Sequence, residues 1–341
     1  MKINRRELLD VLNVVKAGIA GKEILEQSSS FVFNGNRVYA FNDEIAVSAA
    51  IDIDFEGAVV AKELIAFLSK CKDKNIKIDE KDNELLLKGK NIKAGISIEK
   101  EIILPLDEIS KAEEWHDLPS EFSRGVSLCQ SSIGRDMTKP AFACLHLEGD
   151  IAEATDNQRI SRFTFDDVYF EESVLIPYVG VPLLTQIPFV SYSVGQGWVH
   201  FLCEGSEDET TVLSCRTFES DYPDLEQFID VKGKKAKLPK EIKETIERTS
   251  VFSNPGGADK EMVTVKLSKK QCQISSSNDV GWVKEKLDAK YKGKEFNFGI
   301  CPHVLNQILD ISNEAVVCSK TNTLRFERDN FVHVVTTIKG E

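Results

Sequence analysis

A strand, turn and strand grammar that occurs three times constrains this chain more than any other feature. Phe31-Val-Phe-Asn-Gly-Asn-Arg-Val-Tyr-Ala-Phe-Asn42 reads as two short strands joined by an Asn-Gly turn and ending on Asn42-Asp43. Leu145-His-Leu-Glu-Gly-Asp-Ile-Ala-Glu-Ala-Thr-Asp156 repeats it, and residues 263–278 repeat it again with Lys269-Lys270 at the turn. Aligning Asn42, Asp156 and Asn278 gives separations of 114 and 122 residues. Solenoid units recur every ~20 to 50 residues, so a period of this size means three copies of a whole domain.

The flanking segments repeat as well. Before the first hairpin, Leu8, Leu12, Val15 and Ile19 share one helix face. Pro119 opens a second such helix with Phe122, Val126, Cys129 and Ile133 inward, and Pro239 a third with Ile242, Ile246 and Thr249 inward. A second helix follows each hairpin set, at 61–70, 178–187 and 302–311, and further strands come after it, such as 76–79, 84–88 and 92–98. The Gly, Asn and Asp turns between strands indicate antiparallel sheet. Each copy is therefore α+β, with two helices and antiparallel sheets. The acidic, irregular stretch 105–115 and the basic linker 232–237 divide the chain into domains at 1–110, 111–232 and 233–341.

Composition limits what such a chain does. Its 42% hydrophobic and 29% charged residues are those of a globular protein. The longest apolar stretch is interrupted by Pro177 and Pro182, well short of the ~18 residues of a membrane span. The opening residues carry no apolar signal core, so a cytoplasmic location with no membrane partner is expected. Eight cysteines without a CxxC spacing read as reduced, mostly buried thiols. The formal net charge of −12 argues against a protein that coats nucleic acid with its whole surface. The deficit is local. Residues 101–230 hold 7 basic against 25 acidic residues, whereas 1–100 are balanced at 16 each and 231–341 hold 20 against 14.

Catalytic and metal-binding patterns are missing. The five histidines (116, 146, 200, 303 and 333) show no metal-ligand spacing, and His146 and His333 fit strand patterns. No phosphate-binding glycine motif occurs, and Gly195-Gln-Gly197 reads as a hairpin turn. Asp52 and Asp54 alternate with Ile51, Ile53 and Phe55 like the solvent face of a strand. A non-enzymatic protein without metal or cofactor is expected. Basic residues offer a better lead, because they recur on the polar sides of the repeated helices. The first copy has Arg5, Arg6, Lys16, Lys22, Lys62, Lys70, Lys72 and Lys74; the second has Arg124, Arg135 and Lys139; the third has Lys240, Lys243 and Arg248. Acidic neighbours such as Glu7, Glu121 and Glu244 keep their attraction for phosphates modest and salt-sensitive.

Three copies of a two-helix, β-rich domain resemble the bacterial sliding clamp family, the beta subunit of DNA polymerase III. Ala154-Thr-Asp-Asn-Gln-Arg-Ile160 is similar to that family's Ala-Thr-Asp-Gly-His-Arg-Leu, and Phe218-Glu-Ser-Asp-Tyr-Pro-Asp224 to its segment before the third domain. The ends of the chain, 1–12 and 331–338, fit its first helix and last strand, so the resemblance covers nearly the whole length. It implies a head-to-tail homodimer whose six domains close into a ring around duplex DNA, tethering a polymerase without reading sequence. Twelve helices of ~10 Å diameter side by side give an opening of roughly 28 Å, wider than the duplex.

The family's partners, polymerase and clamp loader, insert short peptides between the second and third domains. Carried over, the peptide site comprises Phe142, Thr155, Asn157, Arg159, Ile160, Pro223, Gln227, Phe228, Val334, Thr337, Ile338 and Lys339. In this assignment Arg159 pairs with a polar or acidic peptide group. Because Ile338 lies near the terminus, removing 337–341 is expected to cost little stability. The chain departs from the family at Asn157 and Gln158, at Gln227 where Arg is usual, and in its tail; these departures are compatible with a phage or mobile-element clamp. The acidic middle third motivates a rival, a clamp-like interaction module that does not encircle DNA.

Overall fold

Local chemistry starts the first helix, Arg5–Val15. The Asn4 side chain accepts the Arg6 N–H at 3.0 Å, a cap that satisfies one backbone donor otherwise left open, and donates to the Glu7 carboxylate at 2.7 Å. Its Leu8, Leu12 and Val15 are buried. Ile19 lies beyond the helix, which tightens into a 3-10 turn at Lys16–Gly18 and then extends. The same correction applies to Ile133, which follows the 3-10 turn Gln130–Ser132 after helix Phe122–Cys129. The helix in the third copy, Ile242–Ser250, buries Ile242, Thr245, Ile246 and Thr249.

The computed structural model describes all residues except Ile24, Asp54, Ser110, Lys111, Glu113, 207–209, 254–260 and Glu341. Among the described residues the chain forms two compact units: 1–123 with 169–220, and 124–168 with 221–341. In the first, an eight-stranded antiparallel sheet runs in the order Gly57–Val60, Ser30–Asn34, Arg37–Phe41, Ile45–Ala50, Thr211–Arg216, Trp198–Cys203, Phe189–Gly195 and His116–Asp117. A four-stranded sheet, Lys2–Asn4, Asn75–Lys81, Glu84–Lys88 and Lys93–Ser97, completes this unit with helices Arg5–Val15 and Ala61–Lys70, which pack on each other.

The second unit is built the same way. One sheet places Cys144–Gly149, Ile151–Thr155, Arg159–Thr164, Phe331–Thr336, Thr323–Arg328, Glu314–Cys318, Lys234–Lys237 and Lys290–Tyr291 side by side. The other orders Trp282–Asp288, Gln271–Ser277, Val263–Leu267, Phe296–Ile300 and Ile338–Lys339. Helices Ile242–Ser250 and Pro302–Leu309 close over a core that includes Ile246, Val265, Ile274, Phe298, Leu305 and Phe326.

All three repeated hairpins are present. Gly35 and Gly149 occupy equivalent turn positions at φ 58°, a left-handed conformation open to glycine at little cost. Gly197 likewise turns the hairpin between Phe189–Gly195 and Trp198–Cys203. Three expectations need correction. The second helix of the middle copy is only Val181–Gln186, because Pro182 restricts it to starting there. The stretch 232–237 is no linker: Lys234–Lys237 pairs on both sides, buries Ala236 and turns Lys237 outward to Glu314 at 2.9 Å. Its charge signals one solvated face rather than irregular chain. Asp52 lies just past strand Ile45–Ala50, although Ile51, Ile53 and Phe55 are buried; Asp54 falls outside the described residues.

All eight cysteines are thiols and five are buried. Burial pushes the Cys144, Cys215 and Cys272 thiols up to about 12, so they stay protonated and unreactive. No described helix is long and apolar enough to cross a membrane.

Two buried histidines give the fold a pH dependence. His200 and His333 are 2% and 1% exposed, with Nδ1 at 2.8 Å from Ser214 Oγ and Ser161 Oγ. Burial lowers His200 to about 4; burial and the neighbouring Arg159 charge lower His333 to about 3. The unfolded chain binds these protons below pH 6.5 while the native chain does not. Stability is therefore full above pH 6.5 and falls steadily toward those lower values. Each histidine should remove about 2 kcal/mol between pH 6.5 and pH 5. Urea unfolding at both pH values should show this loss, and His200→Gln should shrink it by about half; a pH-independent midpoint would contradict the assignment.

Candidate functional site

The residues assigned to peptide binding all lie in the second unit. Their arrangement follows from strand register. Thr155 opposes Ile160, Ile160 opposes Val334, and Val334 opposes Arg325, so these side chains form a row on one face of the sheet. Arg159 opposes Val335 on the other face, where Val335 belongs to the core under helix Pro302–Leu309. One residue of alternation thus separates Ile160 from Arg159.

The turn between these strands is tightly fixed. Asn157 adopts φ 74°, the left-handed conformation that Asn tolerates. Thr155 Oγ1 donates to the Arg159 carbonyl at 2.8 Å and accepts the Asn157 N–H at 3.1 Å. Asp156 Oδ1 accepts the N–H groups of Gln158 and Arg159, both at 3.0 Å. Its other oxygen takes Arg159 Nε at 2.8 Å, and Arg159 also donates to Gln307 at 3.2 Å. The guanidinium is largely covered and committed within the chain, so the expected pairing of Arg159 with a peptide group is not what this geometry favours.

Apolar groups dominate the opposite face. Ile160, Leu225 and Val334 are buried together, with Tyr222, Ile229, Val231 and Val332 packed around them. Segment 221–231 lies on this row and carries the short helix Glu226–Ile229. Pro223 is half-buried there, while Gln227 and Phe228 face solvent, Phe228 being 54% exposed. Phe142 is half-buried, with the Lys139 ammonium 5.9 Å from its ring centre. Sequence reasoning missed Leu225, Tyr222, Arg162 and Glu226. The alternation of Arg159-Ile-Ser-Arg162 signals that Arg162 shares the Ile160 face, but nothing periodic marks 221–231.

The tail sits differently from its assignment. Thr337 is buried and donates twice to the Asn322 carbonyl, through N–H at 2.7 Å and Oγ1 at 2.9 Å. Ile338 and Lys339 pair with Gly299 and Phe298 in the other sheet of this unit, where the exposed Ile338 side chain passes a glycine. A Cβ at Gly299 would fall 2.6 Å from Met262 Cε, the end of a flexible side chain, and 3.8 Å from Ile338 Cβ. Thr155, Ile160, Pro223, Phe228 and Val334 are thus associated through one sheet face and its covering segment, whereas Ile338 and Lys339 belong to a separate sheet.

Basic residues on the helices fall into two groups. Arg5 donates to the carbonyls of Leu68 and Asp73 at 2.9 and 3.1 Å, closing the end of helix Ala61–Lys70. Arg124 pairs with Asp329 at 3.1 Å, Lys243 with Asp310, and Arg248 with Glu285 at 2.8 Å. By contrast Arg6, Lys16, Lys22, Lys62, Lys70, Lys72, Lys74, Arg135, Lys139 and Lys240 are exposed. Among the described residues no cluster of three or more His, Cys, Asp or Glu has the geometry to hold a metal.

No protein-family model and no curated protein matches the chain significantly. Solved structures do. A DNA polymerase sliding clamp from Pseudomonas aeruginosa is 17% identical over 99% of both chains, with a TM-score of 0.82. The DNA polymerase III beta subunit from Thermotoga maritima is 14% identical over 100% of this chain and 99% of its own, with a TM-score of 0.85. The sliding clamp from Bartonella birtlesii, solved bound to griselimycin, is 15% identical over 99% of both chains, with a TM-score of 0.86. The chain therefore has the sliding-clamp fold along its whole length.

The tail geometry reverses one expectation. Deleting 337–341 removes the Thr337 bonds and the strand Ile338–Lys339, two or three net hydrogen bonds of ~1 kcal/mol each. The truncated chain should lose about 2 to 3 kcal/mol in chemical denaturation. A loss below about 0.5 kcal/mol would show the tail to be energetically idle.

Proposed function

We propose that this chain is a DNA polymerase processivity clamp, non-enzymatic and without cofactor, that closes as a head-to-tail homodimer around duplex DNA. The observation that carries the reading is the full-length clamp fold built on three repeats, which we assign to 1–110, 111–232 and 233–341. Retention on DNA is then topological, and polymerase gains a high effective concentration on its template.

Several features support the reading. The four-stranded sheet of the first unit ends on Lys93–Ser97, flanked by exposed Ile92. The five-stranded sheet of the second ends on Trp282–Asp288, which carries exposed Trp282 just after exposed Val280. An edge strand beside exposed apolar groups is a ready template for pairing with another chain, and one edge from each copy makes a head-to-tail contact that closes. The neutral first third and positive last third do not oppose it. Arg6, Lys16, Lys62, Lys72, Arg135 and Lys240 are exposed on or beside the helices, as weak, sequence-indifferent phosphate contacts require.

Polymerase and clamp loader dock, in this reading, as short peptides with apolar anchors beside Ile160, Val334, Pro223 and Phe228. With Arg159 tied to Asp156, recognition rests on those anchors. An uncharged labelled peptide with leucine and phenylalanine anchors should bind and be displaced by griselimycin, which the Bartonella clamp was solved with. Absence of saturable binding of either would remove support for the site.

The decisive functional test is retention. Chain loaded onto nicked circular duplex should survive gel filtration in high salt and be released when the circle is cut. Equal retention on circle and linear DNA, or no retention on either, would favour the interaction module that does not encircle DNA.

A further inference from the structure

The apolar row is covered by a segment that is fastened to it by charge. Segment 221–231 contributes no strand to the sheet; among the described residues its regular structure is the four-residue helix Glu226–Ile229. Two of its side chains meet a polar network rising from the sheet. Arg162 stands one pleat along from Ile160 on the same face, directly opposite Glu153 and Val332. Its Nε and Nη2 each lie 2.8 Å from Glu153 Oε2, and its Nη1 donates to Glu226. Glu153 is held from the other side by His146 Nδ1 at 2.9 Å, and the His146 ring stacks on Tyr222 with centroids 4.2 Å apart. Arg162 is only 12% exposed, so its charge needs a carboxylate partner, which the buried Glu153 supplies.

We infer that Arg162 is a positioning residue for the peptide site: through Glu226 it latches segment 221–231 over the Ile160–Val334 row and so sets the spacing between Phe228 and that row. This rests on the peptide-docking reading above. The asymmetry of the pair explains why it works as a latch. Arg162 is fixed at the sheet by Glu153, whereas Glu226 is 73% exposed on the segment, so loss of the Glu226 contact frees the segment without leaving the buried guanidinium unpaired. The apolar contacts of Leu225 and Ile229 hold the segment down but leave it able to slide, since they are non-directional. The ion pair supplies the direction.

The test uses the full chain and two variants, Glu226→Gln and Glu226→Asp. Hydrogen exchange reports the latch without any ligand. In Glu226→Gln, amides of 222–231 should exchange about ten-fold faster while those of strands Arg159–Thr164 and Phe331–Thr336 and the unfolding midpoint stay unchanged. The uncharged leucine and phenylalanine peptide should bind three- to ten-fold more weakly to Glu226→Gln, and Glu226→Asp should recover part of that loss. Raising salt should weaken peptide binding to the native chain but not to Glu226→Gln, a difference that a merely packed segment would not produce. Unchanged exchange in 222–231 would overturn the latch. Faster exchange with unchanged affinity would overturn its positioning role. If the native chain binds no peptide, the docking reading itself fails, and the exchange arm still decides whether Arg162 holds the segment.

Discussion

Pairing between strands far apart in sequence is the constraint on which this structure depends. Strand Ile45–Ala50 pairs with Thr211–Arg216 in the first unit, and Arg159–Thr164 pairs with Phe331–Thr336 in the second. In each case a strand from one repeat continues the sheet of another, which is why contacts group the middle repeat partly with the first and partly with the last. Shifting the second pairing by one residue would move Ile160 into the helix-covered core and Arg159 onto the apolar row. Register therefore decides which residues face segment 221–231, before any side-chain detail matters.

The same pairing explains the division of labour between faces. Toward the helices, Val335, Leu324 and Val317 join a continuous core with Leu305 and Ile308. Away from them, the sheet carries both an apolar row and the His146, Glu153 and Arg162 network, closely spaced and satisfied by one another and by segment 221–231. A buried carboxylate and guanidinium cost stability unless paired, so the network holds geometry more than it adds to the folding free energy. In the proposed tether, function would come from closure and from a shaped docking face, and neither requires a catalytic group.

Much of the architecture was legible in the sequence because its signals are local. The Asn34-Gly35 and Gly149 turns, the Leu8, Leu12 and Val15 stripe, and the Ile242, Ile246 and Thr249 stripe each declare an element within one or two turns of chain. What escaped was non-local. Lys234–Lys237 reads as solvated linker because its four residues carry three charges, yet partners some 55 to 80 residues away make it a strand. Arg159 looked available to a ligand because Gln307, which it meets, lies in a different repeat. The tail looked dispensable because neither Asn322 nor Gly299 is near it in sequence. Gln27, 1% exposed, holds the carbonyl of Glu101 and the N–H groups of Ile103 and Leu104 without any motif announcing it.

Closure into a ring is the central claim, and the mass in solution tests it most directly. The edge strands Lys93–Ser97 and Trp282–Asp288 give a closed pair when each meets its counterpart on a second copy. Light scattering coupled to gel filtration at micromolar concentration should return a mass near twice 38.2 kDa that does not grow with concentration. A mass near 38.2 kDa, or one that climbs as open-ended chains form, would contradict a closed two-chain ring.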